Sequence, residues 1–185
     1  IEFILDYNDY YKNPLLSLQG RQQIESITED TGVGVFSICA DYFMEAPLHS
    51  IDDRIVIQST EVLVDLMEAA EALKINDIII PCVDKSSIQD EHLQSRFTEV
   101  LFSIVPKAEQ CNVNLSLETD LDPIQFEKLL TKLETDGEFS ILDNYLIHID
   151  SFKNQSTALK KNPSWIISVP GEFNLLKRLI TYQKI

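Results

Sequence analysis

The chain has 185 residues, 44% of them hydrophobic, enough to bury a core as one domain. Its 15 Lys and Arg against 30 Asp and Glu give a formal charge of −15, a field that argues against non-specific binding of DNA or RNA but leaves room for a small phosphorylated ligand. Neither a membrane span nor a signal peptide is read in it, so the expectation is a cytoplasmic protein, its three cysteines (Cys39, Cys82 and Cys111) held as reduced thiols.

In chain order, "IEFIL" at residues 1–5 reads as a strand, followed by a loop over 6–14 and a helical stretch around 15–30. A second strand, "VGVFSICAD" at 33–41, leads into the long loop "YFMEAPLHS". A helix fits "STEVLVDLMEAAEALKI", where Val62, Leu63, Leu66, Met67, Ala70 and Leu73 recur at helical spacing and Ser59 or Thr60 is the expected N-cap. The near-continuous apolar run "DIIIPCVD" at 77–84 suits a parallel strand buried on both faces. A helix over about 90–111 leads to "VNLSLETD", where Val113, Leu115 and Leu117 alternate with Asn114 and Ser116 as a pleated chain does. In the following helix, "DPIQFEKLLTKLE", Asp122 is the expected N-cap and Pro123 stands at the first position. "FSILDNYLIHID" then supplies one strand or two short ones.

Alternation of strands and helices at this spacing means βαβ units and a parallel sheet, closed either as an open doubly wound fold or as a (β/α)8 barrel. The doubly wound fold often carries a glycine-rich phosphate loop after its first strand; here there are five glycines and no G-x-G-x-x-G. Four strands instead end in a carboxylate: Asp6, Asp41, Asp84 and Glu118. Such residues at successive strand ends form the rim of a barrel active site. Aspartate is also common in turns, and for Asp6 and Asp84 that is the preferred reading.

The stretches "SICADYFMEAPLH", "LMEAAEALKINDIIIPCVD" and "LSLETDLDPIQFEKLL", in that order, resemble the xylose-isomerase-like barrels, and among them the sugar-phosphate isomerases and epimerases such as hexulose-6-phosphate isomerase and L-ribulose-5-phosphate 3-epimerase. The resemblance runs over about residues 1–133. It implies an α/β (β/α)8 TIM barrel, here incomplete with about five or six βα units, in a single domain over 1–185 that lacks the first strand and the last ones. It also implies a divalent metal (Mn, Mg, Co or Zn) held by carboxylates and a histidine at strand ends, and proton transfer on a phosphorylated ketose. The first ligand, and the catalytic carboxylate, falls on Glu118. The second falls on Asp150 in "DSFKNQSTALKKNP", with Asp143 as the alternative; a third alignment makes His148 the histidine ligand. Asp41, Tyr42, Phe43 and His49, in the loop after a strand, are the expected walls of the sugar pocket. A homodimer is the expected assembly.

Three functions compete. The first is the metal-dependent isomerase or epimerase. The second is a catalytically inactive fragment or degenerate paralogue, favoured by the absence of room for a histidine strand and a final catalytic Glu. The third is a nuclease like endonuclease IV, which needs many histidine ligands and a basic groove; three histidines and the acidic charge oppose it.

Overall fold

A computed structural model describes residues 1–136, 164–169 and 180–182, with side chains described through residue 133. Strands β1 (Glu2–Ile4), β2 (Ser37–Cys39), β3 (Asp77–Cys82) and β4 (Asn114–Thr119) alternate with helices α1 (Leu18–Thr31), α2 (Tyr42–Glu45), α3 (Asp53–Leu73), α4 (Glu91–Cys111) and α5 (Pro123–Asp136). Strands β5 (Ser164–Val169) and β6 (Ile180–Tyr182) follow, and the sheet order is β1-β2-β3-β4-β5-β6.

The first four strands are parallel, each beside its predecessor. Right-handed crossovers that never reverse direction put every connecting helix on the same side of the sheet, which is barrel winding and not the two-sided winding of an open sheet. The fold is therefore α/β of the (β/α)8 kind, with four βα units in succession. After them the direction changes: β5 runs antiparallel to β4, and β6 antiparallel to β5.

Each helix is defined by its ends and one apolar face. Ser17 caps α1 by accepting from the Gly20 amide, and Gly32, at φ +69°, closes it in the left-handed conformation that glycine adopts freely. The α3 helix buries Val62, Leu63, Leu66, Met67, Ala69 and Ala70. It starts about two turns before the expected place: Asp52 is the cap, accepting from the Arg54 amide at 3.0 Å, while Ser59 is buried within the helix and donates to the Ala46 carbonyl. Asp90 caps α4, whose buried side carries Phe97, Leu101, Ile104, Val105, Ala108 and Cys111. Asp122 caps α5 as the sequence predicts, accepting from the amides of Ile124 and Gln125 at 2.8 Å each.

Two further differences concern strands and loops. Residues 42–45, expected in a loop, form a helical turn, and residues 164–169, not expected as a strand, pair with β4. The predicted strand "FSILDNYLIHID" lies outside the described residues.

Along each parallel strand, alternate residues face opposite sides. One side carries Phe3, Leu5, Ile38, Ala40, Ile78, Ile80, Cys82, Leu115, Leu117 and Thr119, and apart from the half-buried Phe3 all are buried in the core with the helices. The other side is mostly polar, and it is the side that a closed barrel turns inward.

Candidate active-site rim

The polar side is arranged in rows across the four strands. The lowest row is Glu2, Ser37, Asp77 and Asn114. There the Ser37 hydroxyl donates to the Glu2 carboxylate at 2.8 Å, and the Asn114 amide donates to Asp77 at 3.0 Å. The middle row is Ile4, Cys39, Ile79 and Ser116. The upper row, at the C-terminal strand ends, contains Pro81 opposite Glu118. Beyond Cys39 the Ala40 amide still donates to the Ile79 carbonyl at 2.9 Å, but Asp41 has left the strand, its backbone helical at φ −57° and ψ −17° where α2 begins.

Glu118 is half-buried at the end of β4, where strand alternation turns it to the polar face. Asp41 is also half-buried, and its Oδ1 accepts from the Cys39 Sγ–H at 3.1 Å. Burial raises the Cys39 pKa well above a free thiol's, reinforced by that hydrogen bond and by the charges of Asp41, Glu2 and Glu118. Cys39 is thus a neutral donor, not a thiolate. Cys82, on the apolar face, is raised by burial first and then by Asp120 and Glu118.

The other strand-end carboxylates point to turn chemistry. Asp6 is exposed; Asp84 is exposed with φ +51° and opens the 3₁₀ turn Asp84–Ser86. Asp120 accepts from the Ser87 hydroxyl at 2.8 Å, tying the loops after β3 and β4 together. A Lys85–Glu45 ion pair at 2.6 Å links the loop after β3 to α2.

The expected sugar-pocket residues Tyr42, Phe43 and His49 are placed in the core, at no more than 3% exposure. Tyr42 packs against Tyr10 at 4.9 Å, Tyr7 at 5.4 Å and Phe43 at 5.5 Å between ring centroids. Its hydroxyl makes no hydrogen bond of ordinary length, although the Ser59 hydroxyl, which donates to the Ala46 carbonyl, lies nearby. The His49 ring meets Phe97 edge-on at 5.8 Å, and its Nδ1 is buried without a partner. Burial, and then the nearby Arg96, lowers the His49 pKa to about 4.

Of the four residues named as metal ligands, only Glu118 is described; Asp143, His148 and Asp150 lie outside the described residues. Among the described residues no three His, Cys, Asp or Glu side chains come together as a cation site, so by themselves they do not fit a metal. Cys39 was expected only as a buried thiol. Its place at the end of β2, two residues before the N-terminal cap position of α2, is what brings its thiol to the Asp41 carboxylate.

No protein-family model matches the sequence, and no curated protein matches it significantly. Among solved structures, a D-tagatose 3-epimerase-like protein aligns with a TM-score of 0.50 at 18% identity, over 63% of this chain and 42% of that one. A 3-keto-D-glucoside 4-epimerase from E. coli, in its apo form, aligns with a TM-score of 0.46 at 11% identity, over 57% of this chain and 42% of that one. The chain therefore spans less than half the length of either structure. With the sequential parallel order of β1 to β4, the first likeness shows the fold: an α/β chain that carries part of a TIM barrel.

Proposed function

We propose that this chain belongs to a sugar isomerase or epimerase that moves a proton on the carbon beside the carbonyl of a phosphorylated ketose, with Glu118 as the base. The observation that carries this reading is the position of Glu118: at the C-terminal end of a parallel barrel strand, on the polar face, beside Pro81. The motif resemblance implies a first catalytic carboxylate at this residue, and the D-tagatose 3-epimerase-like structure shares the fold. A half-buried carboxylate at a barrel mouth meets substrate from above while its backbone is fixed by the sheet, the setting that general-base catalysis needs.

Mn, Mg, Co or Zn enters this reading only with further ligands, the named alternatives being Asp150 first, then Asp143, and His148 on a third alignment. The chemistry assigned to the described residues is proton transfer. In this reading the protein is cytoplasmic, acts on a small sugar phosphate, forms a homodimer and uses neither nucleic acid nor membrane as a partner. Among the described residues no helix is long and apolar enough to cross a membrane.

The test is turnover of a panel of ketose phosphates in D2O by the full-length protein with added divalent metal, read by mass spectrometry, beside calorimetric titration with Mn²⁺. Glu118→Gln should lower turnover by about 100-fold or more, the usual worth of a general base, and abolish saturable metal binding. Wild-type protein that turns over none of the panel and binds no metal would reject the reading in favour of an inactive relative.

A further inference from the structure

We infer that residues 46–52, between α2 and α3, form an acid-released strap: docked on α3 and α4 while His49 is neutral, and undocked when His49 takes up a proton. The strap is independent of the proton-transfer chemistry of Glu118. Two side chains anchor it, one near each end. The Ser59 hydroxyl of α3 donates to the Ala46 carbonyl at 2.8 Å. The Arg96 guanidinium of α4 donates twice to the Ser50 carbonyl, from Nη2 at 2.7 Å and from Nε at 3.1 Å, and Nη2 also meets Asp53 at 2.7 Å. Between the anchors Leu48 and His49 are buried, while Ile51 beyond them is exposed.

The weak point of this segment is its polar burial. Among the described residues, the two buried side-chain polar atoms without a hydrogen bond of ordinary length are the Tyr42 hydroxyl and His49 Nδ1, and both fall within residues 42–52. A polar atom buried unpaired costs free energy that opening to water recovers, so the cost of undocking is lowered at this place in particular.

The charged groups on the surrounding elements are Arg96 on α4, Asp53 and Arg54 in the first turn of α3 with Asp52 before them, and Glu45 of α2 with Lys85. Asp53 is engaged by Arg96, Asp52 by Arg54 and Glu45 by Lys85, while His92 and Glu99 of α4 are exposed. Burial first and then Arg96 oppose a proton on His49, which is why its pKa falls to about 4. Arg96 thus has two opposed roles: its hydrogen bonds hold the strap closed, and its charge excludes a second cation beneath it. The undocked strap leaves the imidazole in water, free to bind a proton near its ordinary 6.5. Docking is therefore firm above the upper value and is lost as pH falls through the window.

The test is amide hydrogen exchange of the full chain, resolved by NMR, corrected for the intrinsic rate, and run at about pH 6 and about pH 5 in urea well below the unfolding transition. The reporters are the amides of Ala46, Ser50 and Asp52, which donate to the Tyr42 carbonyl, the Pro47 carbonyl and the Ser50 hydroxyl in the docked strap. Their opening equilibrium should rise about 5- to 10-fold over that single pH step, the effect of one proton taken up on opening. It should depend little on urea, because a local opening exposes little surface. In His49→Leu the rise should vanish. No rise in the wild type, or the same rise in His49→Leu, overturns the inference. So do strap amides that exchange no faster than those of β3 and β4 and share their urea slope, because the opening is then global unfolding. Should His49→Leu fail to fold, His49→Gln supplies the same uncharged comparison.

Discussion

Two polar atoms in the core, the Tyr42 hydroxyl and His49 Nδ1, are sealed from water without a hydrogen bond of ordinary length. His49 binds a proton near its ordinary 6.5 when unfolded but only near about 4 when folded. Between those values the unfolded chain holds the extra proton, so the stability present above the upper value is lost as pH falls through the window. Urea unfolding should show the wild type losing about 2 kcal/mol more than His49→Leu between about pH 7 and pH 5; parallel losses would mean that His49 is solvated. Tyr42→Phe removes a donor that satisfies nothing and should be neutral or stabilising by up to about 1 kcal/mol. A clear destabilisation in the same assay would reveal a hidden partner. Glu118 was legible in the sequence because strand alternation alone decides its face. The sealing of Tyr42 and His49 was not, because it depends on which distant side chains (Tyr10, Phe97) close over the loop.

At the scale of single elements, local rules worked wherever the local signal was complete. The apolar spacing of α3 and α4 and the Asp-Pro start of α5 are written within a few neighbouring residues. The true start of α3 was missed because Ser59 and Thr60 look like caps, yet Asp52 satisfies the first turn earlier and frees Ser59 to bond Ala46. Strand β5 was missed because it owes its place to long-range pairing with β4. Gly20 and Pro106 provide tests at this scale. A Cβ on Gly20 would overlap the Pro14 backbone, so Gly20→Ala should cost about 1–3 kcal/mol despite alanine's better helix propensity. Pro106 sits exposed inside α4, where it removes one amide donor from the ladder. Pro106→Ala should therefore stabilise by roughly 1–3 kcal/mol, and a fall in stability would show that α4 is shaped around the proline.

For the molecule as a whole, the charge of −15 is a standing self-repulsion. Raising NaCl from about 0.02 to about 0.3 M shortens the screening length from roughly 20 to roughly 6 Å and should raise Tm by a few degrees. A lower Tm would mean that the surface ion pairs, such as Lys107–Glu68 and Arg96–Asp53, outweigh the net charge. The barrel winding was legible from strand–helix alternation and the missing glycine loop, whereas the reversal of direction at β5 has no local signature. The sequential order of β1 to β4 also governs the timing of folding. Each parallel strand finds its neighbour one βα unit earlier in the chain, so during synthesis from the N-terminus each new unit docks on an edge already made. The antiparallel partner of β4 comes from much further along. The four-unit block is thus complete before β5 is made. The Glu118 end of β4 takes up its β5 partner only after residues 164–169 have emerged.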